Sequence, residues 1–215
     1  MISFLISLAA FIFGAVNLFK KGIPMYFKLF GIAEACYAIE ELWVVINTMF
    51  GTEDPFVSVR LFGTFGFFCF ILSANVGEFD RTIDEGKEES KKARRLAFIA
   101  PAFFFMIYIL SAFLLQEKGV AYLILEFIVF LPVFLASYFC LKHLLLPTDS
   151  LGFLTTTKEV DIVSLVLFLV NFGYVLDILD GVPMLINFYD IFAALIAALL
   201  TICSVKGAKR WKTLL

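Results

Sequence analysis

Read for hydropathy, the chain is a series of long apolar runs separated by short polar gaps. Seven segments emerge, at about 2–19, 23–49, 57–78, 95–115, 119–142, 160–180 and 183–205. Each approaches the roughly 20 apolar residues needed to cross a bilayer as a helix. The pattern predicts an all-α membrane protein, a single seven-helix transmembrane domain covering 1–215. The second run is long enough to tilt. Connections are short except at 79–94 and 142–159, and 79–94 is the charged one.

Inside the runs, small and polar residues recur at steps of three and four, which places them on one helix face. The first run has Ser7, Ala10, Gly14 and Asn17; the third has Gly63, Gly66, Ser73 and Gly77. The last has Asn187, Asp190, Ala194, Ala197, Thr201 and Ser204. Such faces let helices approach closely in lipid. The fourth run, LAFIAPAFFFMIYILSAFLL, has only Tyr108 and Ser111 as polar groups and is expected at the periphery. Pro101 and Pro132 are candidate kinks.

Basic residues give the expected orientation. Of 17 lysines and arginines, all but Arg60 and Lys118 fall on the connections after runs one, three and five, near their ends, or at the C-terminus. This predicts the N-terminus outside and the C-terminus inside. No basic residue precedes the first run and no small-residue cleavage site follows it, so it reads as a retained span. The stretch DRTIDEGKEESKKARR alternates acids and bases and reads as a solvated cytoplasmic helical extension. It is also a candidate seat for a protein partner or anionic lipid.

Acidic residues lie where lipid would be expected. Glu34, Glu40 and Glu41 are in the second run, Glu126 in the fifth, Asp177 and Asp180 in the sixth, and Asp190 in the seventh. With the predicted orientation most of them fall in the outer half. Intramembrane carboxylates are costly and usually face a protein interior or a hydrated cavity. Runs two and six also share a pattern: Glu34-x-x-Tyr37-x-x-Glu40-x-Leu42 and Asn171-x-x-Tyr174-x-x-Asp177-x-Leu179. In a 3+1+3 parallel-repeat bundle these runs are equivalent, and substrate sites fall at the interface of such repeats. The ligand-binding candidates are Glu34, Tyr37, Glu41, Glu126, Asn171, Tyr174, Asp177, Asn187 and Asp190.

Composition removes other classes. The chain is 62% hydrophobic and 17% charged, with a mean hydropathy of +0.98. That leaves no room for a separate soluble domain. Its 28 Phe suit lipid contact and packing, and nucleic acid is not an expected partner. Cys36, Cys69, Cys140 and Cys203 form no CxxC pair and read as packing residues, so neither a cofactor nor a metal is expected. The single histidine, His143, is expected at the inner interface.

These features point first to a transporter or permease for a small polar or cationic solute, with proton coupling, in the plasma or cell membrane. A seven-helix sensor is the alternative; a retinal protein would need a mid-membrane lysine in the last run, which has none before Lys206. A second alternative is an intramembrane lipid hydrolase using paired carboxylates such as Asp177 and Asp190. No soluble-type catalytic motif occurs. A homo-oligomer fits any of these. A continuous polar route would have to pass Asp161 and Ser164.

Overall fold

The computed structural model describes residues 1–51, 59–76, 88–114, 119–146, 152–175 and 183–214. For 88–90, 152–156, 173–175, 183–187, 213 and 214 only the backbone is described. Every regular element among them is a helix: α1 (Ile2–Leu18), α2 (Met25–Phe50), α3 (Val59–Val76), α4 (Glu88–Ala97), α5 (Ile99–Leu114), α6 (Val120–Leu145), α7 (Gly152–Val175) and α8 (Pro183–Leu214). The stretches Val59–Val76, Lys91–Leu114, Val120–Leu145 and Phe188–Lys212 are long and apolar enough to cross a membrane. Helix α1 is apolar but has 17 residues, and α2 is interrupted by Lys28, Glu34, Glu40 and Glu41.

Six helices close a ring in the order α1, α2, α3, α6, α7, α8 and back to α1. Helix α5 lies outside it against α6 and α7, the peripheral position its uniform apolarity predicts. Helix α4 packs on α6 and carries the exposed Lys91, Lys92 and Arg95. Helix α8 runs nine residues beyond the expected end at 205, and α7 begins eight residues before the expected start at 160.

Helix α1 shows why this bundle belongs in lipid. Its buried residues are Ser3, Ser7, Ala10, Gly14 and Leu18, whereas Leu5, Ile12, Phe13 and Val16 are exposed. A soluble helix buries the opposite face. Phe62, Phe98, Phe113 and Phe188 are likewise exposed on the outside of the bundle. The small-residue stripes hold on α1 and α8 but stop short on α3, where Ser73 is exposed and bonds its own helix at Cys69. Gly77 lies outside the described residues.

Close approach is purchased with glycine. A Cβ on Gly63 would stand 2.7 Å from Glu40 Cβ and 2.9 Å from the Cys36 carbonyl oxygen, so α3 lies directly on the backbone of α2. A Cβ on Gly14 would stand 3.0 Å from Thr201 Cγ2, and Gly31 Cα is 3.8 Å from the same point. There α1, α2 and α8 meet. Helix α2 starts after Pro24 and stops at Gly51, whose left-handed conformation (φ +61°) turns its N–H onto Asn47 O. Pro101 sits in the first turn of α5, where its missing N–H leaves no bond unmade. Pro132 is interior to α6.

Side-chain contacts fix the two ends of the bundle. At one end Ser3 and Glu41 join α1 to α2, and Arg60 and Glu40 join α3 to α2. At the other, Lys206 and Arg210 of α8 grip Glu159 of α7 at 2.8 and 3.1 Å. These are called the acidic and the basic end. The bond from Lys206, opposed by partial burial and helped by Arg210, holds the Glu159 carboxyl below its ordinary range.

Two outcomes follow. Gly63→Ala is expected to destabilise the detergent-solubilised protein by about 1–3 kcal/mol, because the clash is with backbone; an unchanged thermal midpoint would refute the α2–α3 contact. Glu159→Gln should cost less than about 1 kcal/mol near pH 7 at low salt. Because the folded-state pKa is depressed, this contribution is complete above the unfolded carboxylate value of about 4.3 and is lost as pH falls through the folded value. Thermal midpoints of the two proteins should therefore converge in acid, and also in about 1 M salt.

Candidate functional site

The buried residues of the ring fall into three layers along its axis. From the basic end, α2 presents Tyr26, then Phe27 and Phe30, then Glu34, Tyr37, Glu40 and Glu41. Helix α6 presents His143, Cys140 and Ser137, then Phe134, Val133 and Phe130, then Glu126. Helix α7 presents Asp161 and Ser164, then Leu167, Phe168 and Phe172. Polar layers thus sit towards both ends, with an aromatic layer between them. Its rings touch across the bundle: Tyr37 with Phe67 at 5.3 Å, Phe67 with Phe68 at 5.6 Å, and Phe68 with Phe168 at 6.0 Å. Phe130 and Phe172 approach to 4.4 Å, and Phe172 stacks on Phe104 of α5.

The layer towards the acidic end is built around α2. Tyr37 is 5% exposed and lies within electrostatic reach of Glu40, Glu41, Asp190 and Glu34. Those residues are three and four apart on α2, so one face carries them; Asp190 is brought by the first turns of α8. Each carboxylate has a different partner. Glu41 accepts a 2.5 Å bond from Ser3 of α1. Glu40 Oε1 is 3.6 Å from Arg60 Nε. Glu34, 1% exposed, accepts 3.2 Å from Thr201 Oγ1 of α8. Its other oxygen, like Glu40 Oε2, is buried without a hydrogen bond. The guanidinium of Arg60 also acts on Glu41 and Asp190, so three carboxylates share one arginine, and the N-terminal ammonium acts on Glu41 and Asp190 as well.

The other expected site residues are placed less centrally or lie outside the description. Glu126 is buried where α6 meets α5, within electrostatic reach of Tyr108, whose hydroxyl donates to Leu123 O at 2.7 Å. Asn171 is half-buried and donates its amide to Leu167 O of its own helix at 2.9 Å. Tyr174 and Asn187 are in helices α7 and α8, with undescribed side chains. Asp177 and Asp180 lie outside the described residues.

The basic-end layer holds a pair that sequence reading did not foresee. His143 lies in the last turn of α6 but is 0% exposed, and its Nδ1 stands 3.6 Å from Oδ2 of an equally buried Asp161. Cys140, one turn before His143, and Tyr26 both come within electrostatic reach of Asp161, and Ser164 is one turn further along α7. Sequence reading missed the pair because its members are 18 residues apart in chain order, in different runs. The usable signal was that the only histidine and an intramembrane aspartate flank the same connection. Among the described residues no group of three or more His, Cys, Asp and Glu is arranged to hold a metal ion.

Comparison with protein families, with curated proteins and with solved structures finds no match for this chain. Its chemistry therefore has to be read from its own geometry.

The bond between Thr201 and Glu34 can be isolated. Thr201→Val keeps the shape and removes the donor, leaving the buried carboxylate without it, at a cost of about 1–3 kcal/mol. In a Glu34→Leu background the same change should cost almost nothing. A double-mutant cycle in thermal stability without this coupling would mean that the two groups do not interact.

Proposed function

We propose that the protein is a seven-span membrane carrier, N-terminus outside and C-terminus inside, that binds a small cation or amine at the carboxylates around Tyr37. The observation that carries this reading is the excess of acid: buried Glu34, Glu40 and Glu41 and half-buried Asp190 surround Tyr37, Arg60 and the N-terminal ammonium act on the last three only, and Glu34 Oε1 has no hydrogen bond. A buried carboxylate must gain a counter-ion or a proton. An entering cation supplies the first and a proton the second, so exchange of one for the other couples solute to proton. Tyr37 adds a hydroxyl for an N–H donor and a ring face for a cation.

The aromatic layer favours a carrier over a channel. Phe30, Phe67, Phe68 and Phe168 are at most 1% exposed and separate the two polar layers. A solute can cross such a layer only if the helices on either side move apart. The ring's neighbour order is compatible with this. Exchanging α1, α2 and α3 with α6, α7 and α8 maps the neighbours around the ring onto themselves, as a 3+1+3 repeat with α5 as the linker span would; the additional approach of α2 to α8 across the ring is not matched between α7 and α3. Under that exchange α2, which carries Glu34 and Tyr37, corresponds to α7, which carries Asn171 and Tyr174. On this orientation the exposed basic residues of α4 face the cytoplasm, suited to anionic lipid headgroups of the plasma membrane or to a protein partner.

The test is thermal stability of the purified protein with sodium, lithium, guanidinium and ethylammonium chlorides, with choline chloride as the ionic-strength control. At least one small cation should raise the midpoint above the choline value, and Glu34→Gln, which keeps shape and removes charge, should abolish the increment. Stabilisation equal to choline for every cation, or an increment that survives in Glu34→Gln, would overturn the assignment.

A further inference from the structure

The buried pair at the basic end is not used by the site around Tyr37. Tyr26 and Glu34 are eight residues apart on α2, about 12 Å along the helix, with Phe27 and Phe30 buried between them. His143 and Asp161 are each 0% exposed, and their 3.6 Å separation is close enough for an ion pair but too long for a direct hydrogen bond. Both Asp161 oxygens and the Ser164 hydroxyl are buried without hydrogen bonds among the described residues. A lone buried aspartate would be a heavy burden on the fold. Paired with an imidazole, which takes up and gives off a proton near neutral pH, it becomes a place where charge can be switched.

The end of α6 and the Asp161 carboxylate favour a positive charge on His143, and the cations around the pair oppose it. His143 lies in the last turn of α6, where the helix dipole favours a cation. From α7, Lys158 acts on Asp161 while donating to Leu146 O at 3.2 Å at the end of α6. From α6 come Cys140 and the buried Lys142, and from α2 Tyr26. On α8 the nearby cations Lys206 and Arg210 are engaged by Glu159. From α4, Arg94 and Arg95 lie on the helix packed against α6, and α3 presents the neutral Asn75.

We infer that His143 and Asp161 form a proton-binding site at the basic end, distinct from the carboxylates around Tyr37 and divided from them by the aromatic layer. Loading places a proton on the His143 imidazole, opposite the Asp161 carboxylate. Release breaks that N–H bond and passes the proton to water, leaving a neutral imidazole and an unneutralised carboxylate. The discharged pair is stable only if the basic end admits water or Lys158 turns its ammonium to Asp161. Proton occupancy and opening of that end are thus linked. Its role in driving a carrier rests on the reading proposed above; proton binding at the pair does not.

Because His143 is the only histidine, its imidazole can be followed alone. The full chain, carrying a purification tag without histidine, is labelled with 15N-histidine, placed in lipid nanodiscs and titrated by NMR. The expected result is a single step whose midpoint is displaced by at least about one pH unit between wild type and Asp161→Asn. Equal midpoints would overturn the inference. Should Asp161→Asn not fold, the wild type decides alone: a midpoint at the exposed-imidazole value of about 6.5 overturns the inference, and a displaced one that shifts again in Ser164→Ala supports it. No solute is present, so a displaced step together with a failed cation assay would sink the carrier and leave the proton site standing.

Discussion

A carboxylate inside an apolar bundle has to be given a donor, a counter-ion or a proton, and helix α2 brings three of them. This requirement shapes the rest of the ring. Helix α1 supplies Ser3 to Glu41, α3 supplies Arg60 to Glu40, and α8 supplies Thr201 to Glu34. Each of these helices also approaches α2, or the helix beside it, over glycine. Gly63 brings α3 onto the Glu40 backbone, and Gly14 with Gly31 brings α1, α2 and Thr201 of α8 together. Lipid offers no hydrophobic drive for helix association. Close packing and the need to solvate the α2 acids therefore supply the association on this half of the ring.

The other half, α6 and α7, is joined mainly by aromatic packing. Phe130 and Phe172 lie 4.4 Å apart, and Phe104 from the flanking α5 stacks on Phe172. Ring-to-ring contact is strong collectively but tolerant of small slides, because no single hydrogen bond has to be kept. On α6 and α7 the directional contacts, His143 with Asp161 and Lys158 with Leu146 O, are gathered at the basic end, and the rest of their contact is aromatic. Movement that parted α6 from α7 at the aromatic layer would leave the bonds to Glu34, Glu40 and Glu41 intact.

Much of this was legible in the chain, and what was not has a physical reason. Period-three-and-four stripes foretold which face of α1 and α8 is buried, since small residues in lipid have no other use. The burial of Glu34, Tyr37 and Glu41 followed from their common face, and the peripheral place of α5 from its lack of polar groups. Asn171 was read as a site residue from its depth and the motif shared with run two; its amide donates to Leu167 O, a local bond that the motif did not reveal. Glu126 is buried on α6 within electrostatic reach of Tyr108 of α5, a neighbour the run could not name because rotation about a helix axis is not readable from a run that is apolar all round. The largest miss was the partner of His143. Position at the end of a run does not tell whether the next helix covers a residue, and Asp161 of α7 covers this one.

The two polar layers differ in kind, and this bears on how the halves communicate. Around Tyr37 the acids outnumber the bases, so balance there calls for a proton or a cation. At the basic end one acid, Asp161, faces one imidazole, and Lys158 acts on the same acid. Helix α2 contributes to both, Tyr26 to one and Glu34 through Glu41 to the other, on a single rigid rod. A tilt of α2 that widened one layer would compress the other across Phe27 and Phe30. Two layers of different charge balance, joined by one stiff helix and separated by a buried aromatic layer, are mechanically coupled.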